Sequence, residues 1–244
     1  MIAALFDLDG TLTDPREGIT RSLAHALERM GIEPPALDEL VFAIGPPLRG
    51  SLARLLGTDS PAAVERAIAL YRERFADVGL FENRPYDGIV EALESLHATG
   101  ARLFVATSKP TIYARRIVER FGLAAHFVDV HGCELDGTRE DKRDLLAHLL
   151  PHHGLDGATT VMIGDRGADM RAARHHGLHA LGALWGYGSG DELREAGADA
   201  LCERPSALGQ AIGRWRDPLP DPLPRERENA ALPMERSSPK ETPR

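Results

Sequence analysis

The stretch ALFDLDGTLTD, residues 4–14, begins as an apolar run of the kind that forms a buried strand and then sets carboxylates at Asp7, Asp9 and Asp14. Acids at the edge of a core are costly unless a cation or a proton sits among them. Side chains alternate along a strand, so Asp7 and Asp9 turn to the same side. In parallel α/β sheets, ligands bind outside the carboxyl ends of the strands. The stretch therefore reads as the first strand of such a sheet, with a polar site at its end.

Working outward, short apolar segments bounded by polar residues or Gly recur as AALFD (3–7), RLFVATS (102–108), HFVDVHG (126–132), TVMIGD (160–165) and ALGALWG (180–186). Strands buried on both faces look like this. Between them Ile89, Leu93 and Leu96 recur at helical spacing, as do Ile112, Ile117 and Phe121, and Leu145, Leu149 and Leu150. Alternating strands and helices predict a parallel sheet covered by crossover helices. Between Asp14 and Pro85 no convincing strand appears. Ile19, Leu23, Leu27 and Met30 mark one amphipathic helix ended by Gly31, and Val64, Ile68, Tyr71, Phe75 and Val78 mark another. Pro34-Pro35 and Pro46-Pro47 punctuate this segment, which favours a separate helical unit. Residues 216–244 are rich in Pro and charge with little apolar periodicity, and are expected to form a disordered tail.

At 244 residues, 43% hydrophobic and 27% charged, the chain can bury a full core and carry a sizeable insert. A formal charge of -8 without a Lys/Arg cluster argues against nucleic-acid polymers and anionic membranes as partners. Cys133 and Cys202 are too few for a disulfide framework and lack the spacing of a thiolate zinc site. No run approaches a membrane span, and the expected location is cytoplasmic.

The later strands repeat the placement of polar groups at strand ends. VMIGD ends in Asp165, and GDRGAD brings Asp169 one turn later onto a helix. Asp7, Asp9, Asp165 and Asp169 would together make a hard, oxygen-rich site suited to Mg²⁺. VATSKP closes another strand with Thr107 and Ser108, a hydroxyl and a backbone N–H ahead of a helix opened near Pro110. Lys142 opens the helix before TVMIGD, where an ammonium would neutralise a phosphoryl group. Ser189 and Glu192 read as a capping box. The pairs His152-His153 and His175-His176 do not share a helix face and are expected at the surface of helix ends.

DLDGT, VATSKP, Lys142 and GDRGAD, in that order, resemble the four motifs of the haloacid dehalogenase-like hydrolases, over roughly residues 1–208. The resemblance implies a Rossmann-like three-layer parallel-sheet core with an inserted α-helical cap: residues 1–14 and 86–212 as core, and 15–85 as cap hinged at 14–18 and 83–88. It also implies roles. Asp7 would be the nucleophile, and Asp9 the general acid and then base. Asp7, the main-chain carbonyl of Asp9, Asp165 and Asp169 would hold Mg²⁺; Thr107, Ser108 and Lys142 would bind the phosphoryl group. A carboxylate, unlike Ser, attacks phosphorus without first losing a proton, which explains the acids at the strand end.

The second acid of DLD argues against a dehalogenase, and the absence of Lys from residues 15–85 argues against phosphonate cleavage. A sugar phosphomutase shares these core motifs, and a non-catalytic phosphometabolite-binding protein is the competing class. Hydrolysis of a small soluble phosphomonoester is the favoured reaction. DGTLTDPREGITRSL, IGPPLR, CELDGTR and GYGSGDEL resemble the phosphoglycolate phosphatase branch, with nucleoside 5'-monophosphate phosphatases as the alternative. Arg49, after the Pro46-Pro47 turn, is the candidate cap residue for the far end of the substrate, with Arg16 a lesser one. The expected state is a monomer or homodimer.

Overall fold

The computed structural model describes residues 2–215, so the expected disordered tail at 216–244 lies outside the described residues. In chain order the elements are β1 (Ala3–Phe6), β2 (Thr13–Asp14), α1 (Arg16–Arg29), α2 (Leu48–Leu56), α3 (Pro61–Arg74), β3 (Arg84–Pro85), α4 (Ile89–Ala98), β4 (Arg102–Pro110) and α5 (Thr111–Arg120). They continue with β5 (Asp129–Cys133), α6 (Lys142–His152), β6 (Thr160–Gly164), α7 (Gly167–His175), β7 (His179–Ala183), α8 (Gly190–Glu195), β8 (Ala200–Cys202) and α9 (Leu208–Gly213).

Six strands form one parallel sheet in the order β5-β4-β1-β6-β7-β8. Alternate residues of the strands feed two cores. Ala4, Phe6, Leu103, Val105 and Ile163 pack under α4, α5 and α9 through Ile89, Leu93, Ile117 and Ile212. Leu5, Phe104, Met162 and Ala180 pack under α6, α7 and α8 through Leu145, Leu149, Met170 and Leu193. This is the expected three-layer α/β arrangement. Phe6 pairs with Val105 on one side and Ile163 on the other, so β1 is flanked on both edges. The chain leaves β1, β4 and β6 at one level, and the residues after these pairs share one edge of the sheet.

Several elements differ from the sequence reading. A further edge strand, β8, is present and is three residues long. β5 begins at Asp129, because Ala124–His126 is a 3-10 turn. Within the interval read as strandless, β2 and β3 form a two-residue antiparallel ribbon, Thr13 with Pro85 and Asp14 with Arg84. The chain therefore enters and leaves the helical segment side by side. Ile112 is exposed, because five residues separate it from Ile117 and put the two on different faces; Tyr113, Ala114, Ile117 and Val118 form the buried face. Val78 is also exposed, because α3 runs into a π turn at Phe75–Gly79 whose wider winding breaks the register and buries Gly79 instead. Ser189 does accept from the Glu192 N–H at 3.0 Å, but the Glu192 side chain takes the Gly167 N–H at 2.7 Å, so the capping box is half-formed. Among the described residues no helix is long and apolar enough to cross a membrane.

Candidate active site

The acids of the opening stretch converge with those after β6. Asp7, Asp165 and Asp169 are buried, and each brings a carboxylate oxygen within 4.8 Å of the others. Asp7 Oδ1 accepts the Leu8 N–H at 2.8 Å, and Lys142 Nζ stands 3.0 Å from the same oxygen. Asp165 is cradled by the Thr11 hydroxyl on Oδ1 at 3.0 Å and the Tyr187 N–H on Oδ2 at 2.9 Å. Gly10, at φ +85°, makes room for this: a Cβ there would meet Asp165 Oδ2 at 2.2 Å. Asp169 accepts the Arg166 N–H at 3.0 Å and also pairs with Lys142.

Burial dominates the electrostatics. It pushes the Asp165 carboxyl up to about 8, with the charges of Asp7 and Asp169 adding to the shift. Burial likewise raises Asp169, in spite of Lys142. Burial alone would lower Lys142, but Asp169 and Asp7 outweigh it and raise it. A cation among these oxygens would offset the carboxylate shifts by favouring the ionised form, and an all-oxygen donor set is that of a hard divalent ion.

Asp9 points to a second buried lysine that sequence reasoning passed over. Lys109 Nζ lies 2.7 Å from Asp9 Oδ2 and 4.5 Å from the Phe75 ring centroid. Asp9 Oδ1 is buried without a hydrogen-bond partner. Burial raises the Asp9 pKa, with Lys109 opposing and Asp7 reinforcing the shift.

At the end of β4 the ladder with β5 jumps from Ala106–His131 to Pro110–Cys133, so four residue steps oppose two. The extra length bulges Thr107, Ser108 and Lys109 toward the carboxylates. Thr107 Oγ1 accepts the Lys109 N–H at 3.3 Å, which leaves its own O–H free to donate. Cys133 beside this bulge is buried, and burial pushes its thiol up to about 11, which disfavours the nucleophilic thiolate.

The cleft over these groups is walled by both parts of the chain. Ile19, Leu48, Ile68, Tyr71 and Phe75 come from the helical segment, and Tyr113 from α5. Tyr71 and Phe75 stack at 5.2 Å, and Tyr113 meets Phe75 edge-on at 5.6 Å. Arg72 Nη2 donates to the Leu135 carbonyl at 2.7 Å and so ties α3 to the loop after β5. Arg49 lines the cleft while paired with Glu65 at 2.5 Å. Arg16 lies outside it, on Asp38 at 2.7 Å. The structure thus brings Asp7, Asp9, Thr107, Ser108 and Arg49 to one cleft, with Lys142, Asp165 and Asp169 packed behind Asp7.

Comparison with known proteins agrees with this geometry. The chain is 49% identical to a 5'-nucleotidase of Pseudomonas aeruginosa, over 85% of this chain and 94% of that protein. It is 41% identical to the tyrosine-protein kinase PtkA of Mycobacterium tuberculosis, over 77% of this chain and 63% of that one, and 33% identical to a phosphoglycolate phosphatase of Agrobacterium fabrum, over 75% and 81%. Among solved structures, a predicted phosphatase from Clostridium acetobutylicum superposes with a TM-score of 0.84 at 38% identity, covering 88% of this chain and 99% of that one. The model of the family described as haloacid dehalogenase-like hydrolase matches residues 4–183, which carry both acid pairs and the β4 bulge, and the chain belongs to that family.

Proposed function

We propose that the chain is a Mg²⁺-dependent phosphatase that hydrolyses nucleoside 5'-monophosphates through an aspartyl-phosphate on Asp7. The observation that carries this reading is the pairing of two unlike carboxylates. Asp7 has one oxygen held by Leu8 and Lys142, leaving the other to attack phosphorus. Asp9 has a raised pKa and a buried, unpartnered Oδ1, the properties of a proton donor.

Asp7, Asp165, Asp169 and the Asp9 carbonyl would hold Mg²⁺, whose charge, when bound, offsets the repulsion between the Asp7 carboxylate and the phosphoryl group. The Asp7 oxygen bonds to phosphorus as the ester oxygen leaves, and Asp9 gives that oxygen its proton. Asp9, now a carboxylate, takes a proton from water as the water oxygen attacks phosphorus. Phosphate departs and Asp7 is regenerated. Lys142, the Thr107 hydroxyl and the Ser108 N–H hold the phosphoryl oxygens through both steps. The helical segment, residues 15–85, acts as the cap: its Tyr71 and Phe75 wall excludes water and offers a base an aromatic and aliphatic surface.

That wall, together with the 49% identical 5'-nucleotidase, supports a nucleoside over phosphoglycolate. Phosphoglycolate keeps one observation in its favour, the Arg49 guanidinium at the cleft, although Glu65 already holds it. The test is phosphate release from nucleoside 5'-monophosphates, phosphoglycolate, sugar phosphates and phosphotyrosine, with Mg²⁺ or EDTA. The expected result is release from the nucleotides, lost in EDTA and in Asp7→Asn, and lowered about 10²–10⁴-fold in Asp9→Asn. Turnover by Asp7→Asn at the wild-type rate would defeat the mechanism, and preference for phosphoglycolate would defeat the substrate reading alone.

A further inference from the structure

On the face of the sheet that α6 covers, a second cluster of metal-ligating side chains is assembled from the edge strand β5 and the end of α6. α6 starts at Lys142 in the active site and runs 11 residues, about 16 Å, before it ends at His152. There His153 Nε2 lies 2.7 Å from His131 Nε2. Asp129 Oδ2 is 3.2 Å from His131 Nε2 and 3.6 Å from His153 Nε2. The other Asp129 oxygen is already occupied, by the Val130 N–H and by Arg115, each at 2.7 Å. Expected at the surface of a helix end, His153 instead has a side chain only 13% exposed, and His131 12%.

Two nitrogens and one carboxylate oxygen thus face a common point. Two neutral imidazoles share a single N–H···N bond, which leaves the carboxylate oxygen beside them without a proton from either facing nitrogen. A cation at that point takes a lone pair from each facing nitrogen once the ring that donates the shared N–H carries its proton on its other nitrogen instead. A tetrahedral ion with bonds of about 2.1 Å sets its donors about 3.4 Å apart. The two carboxylate separations are already close to this, and the imidazole pair needs to open by less than about 1 Å to match it. His148 and His152, one turn apart on α6 with rings stacked at 5.9 Å, stand over the open side at 6.4 and 6.0 Å from the His131 ring. Four of the chain's ten histidines meet here, three from the end of α6 and one brought to them by β5.

We propose that Asp129, His131 and His153 form a binding site for one late first-row divalent cation of the Zn²⁺ class, which ties the edge strand β5 to the end of α6. The donor set distinguishes it from the catalytic cluster: imidazole nitrogen suits Zn²⁺, Ni²⁺ or Cu²⁺, whereas the all-carboxylate site suits Mg²⁺. The two sites therefore sort two ions by chemistry.

The experiment uses tag-free, full-length protein, stripped with EDTA, dialysed and then held in excess Mg²⁺ to fill the carboxylate site, and titrated with ZnCl₂ by calorimetry. One Zn²⁺ per chain is expected for the wild type and for Asp7→Asn, with binding at least about tenfold weaker in His131→Gln and His153→Gln. Circular dichroism verifies that both variants are folded. Co²⁺ tests the unmutated protein independently, with the intense visible bands of a four-coordinate nitrogen–oxygen site expected. Zn²⁺ binding that survives both histidine substitutions, binding that disappears in Asp7→Asn, or the absence of stoichiometric Zn²⁺ and of the Co²⁺ bands would each overturn the proposal and leave a plain histidine–histidine hydrogen bond.

Discussion

Lys109 holds the charge of Asp9 against the effect of burial, and the competition between the two decides how readily Asp9 holds a proton. Removing the ammonium leaves burial and the charge of Asp7, both favouring the neutral form, opposed only by the weaker influence of Lys142. Lys109→Met keeps most of the stem packed on Phe75 while deleting the charge. It is expected to lower kcat about 10²-fold, as for loss of one donor in a buried site. The limb of the pH–rate profile governed by Asp9 should move to higher pH, since taking away a nearby cation raises an acid's pKa. A profile superimposable on wild type would reduce Lys109 to a packing residue. This lysine was legible only indirectly. A Lys at a strand end reads as a solvated charge, and only the fold shows that the β4 bulge turns it inward. The available signal was composition: the chain has 29 Lys and Arg in all but only three Lys, at 109, 142 and 240, and the two within the described residues are both buried on active-site acids. Asp7, Asp9, Asp165 and Asp169, by contrast, were readable because an acid ending an apolar run has few structural explanations. The histidine cluster was not readable, because its members come from β5 and from α6, 22 residues apart, with no local spacing to mark them.

At the scale of elements, α1 packs against α3 and the π turn where two glycines bring the backbones together. A Cβ on Gly18 would meet the Gly79 carbonyl oxygen at 1.9 Å, and neither partner is a side chain that can swing away. Gly18→Ala is therefore expected to push α1 off the turn and destabilise the protein by about 1–3 kcal/mol. Gly50, within α2, is the opposite case: a Cβ there would enter open space with nothing within 4 Å, so Gly50→Ala should stabilise by about 0.5–1 kcal/mol through helix propensity. Thermal unfolding of the two variants tests both, and a Gly18→Ala melting point at or above wild type would contradict the packing argument. The same contrast explains which elements the sequence revealed. β1, β4 and β6 are covered on both faces and read as continuous apolar runs. β2, β3 and β8 are two or three residues long and partly exposed, too short to show a period. The π turn left the helical pattern intact in the sequence up to Val78, because a widened turn changes which residue faces inward without changing composition.

Over the whole molecule, the convergence of buried acids makes stability depend on pH and on metal. Asp165 has its folded-state pKa raised to about 8 from 3.8, so between these values the folded protein binds a proton that the unfolded chain has released. Stability from this group is therefore present at low pH and lost as pH rises toward 8. His131 and His153 act in the opposite sense at lower pH: their folded pKa values are depressed, so stability rises as pH climbs toward their unfolded value near 6.5. The window from about 6.5 to 8 belongs to Asp165, and across it the EDTA-treated protein should lose about 2 kcal/mol, one pKa unit being worth about 1.4 kcal/mol. For a chain of this size that is a fall in Tm of roughly 4–8 °C. Asp165→Asn removes the titrating group and should flatten the slope. Saturating Mg²⁺ should also flatten it, because a cation bound to the ionised carboxylates favours the form that burial disfavours. Melting curves at pH 6.5, 7.2 and 8.0, with EDTA and with Mg²⁺, measure all three effects. A metal-free wild-type Tm that stays level across the window would mean that the buried carboxylates do not govern stability, and that water or a relaxed Lys142 already solvates them in the folded state.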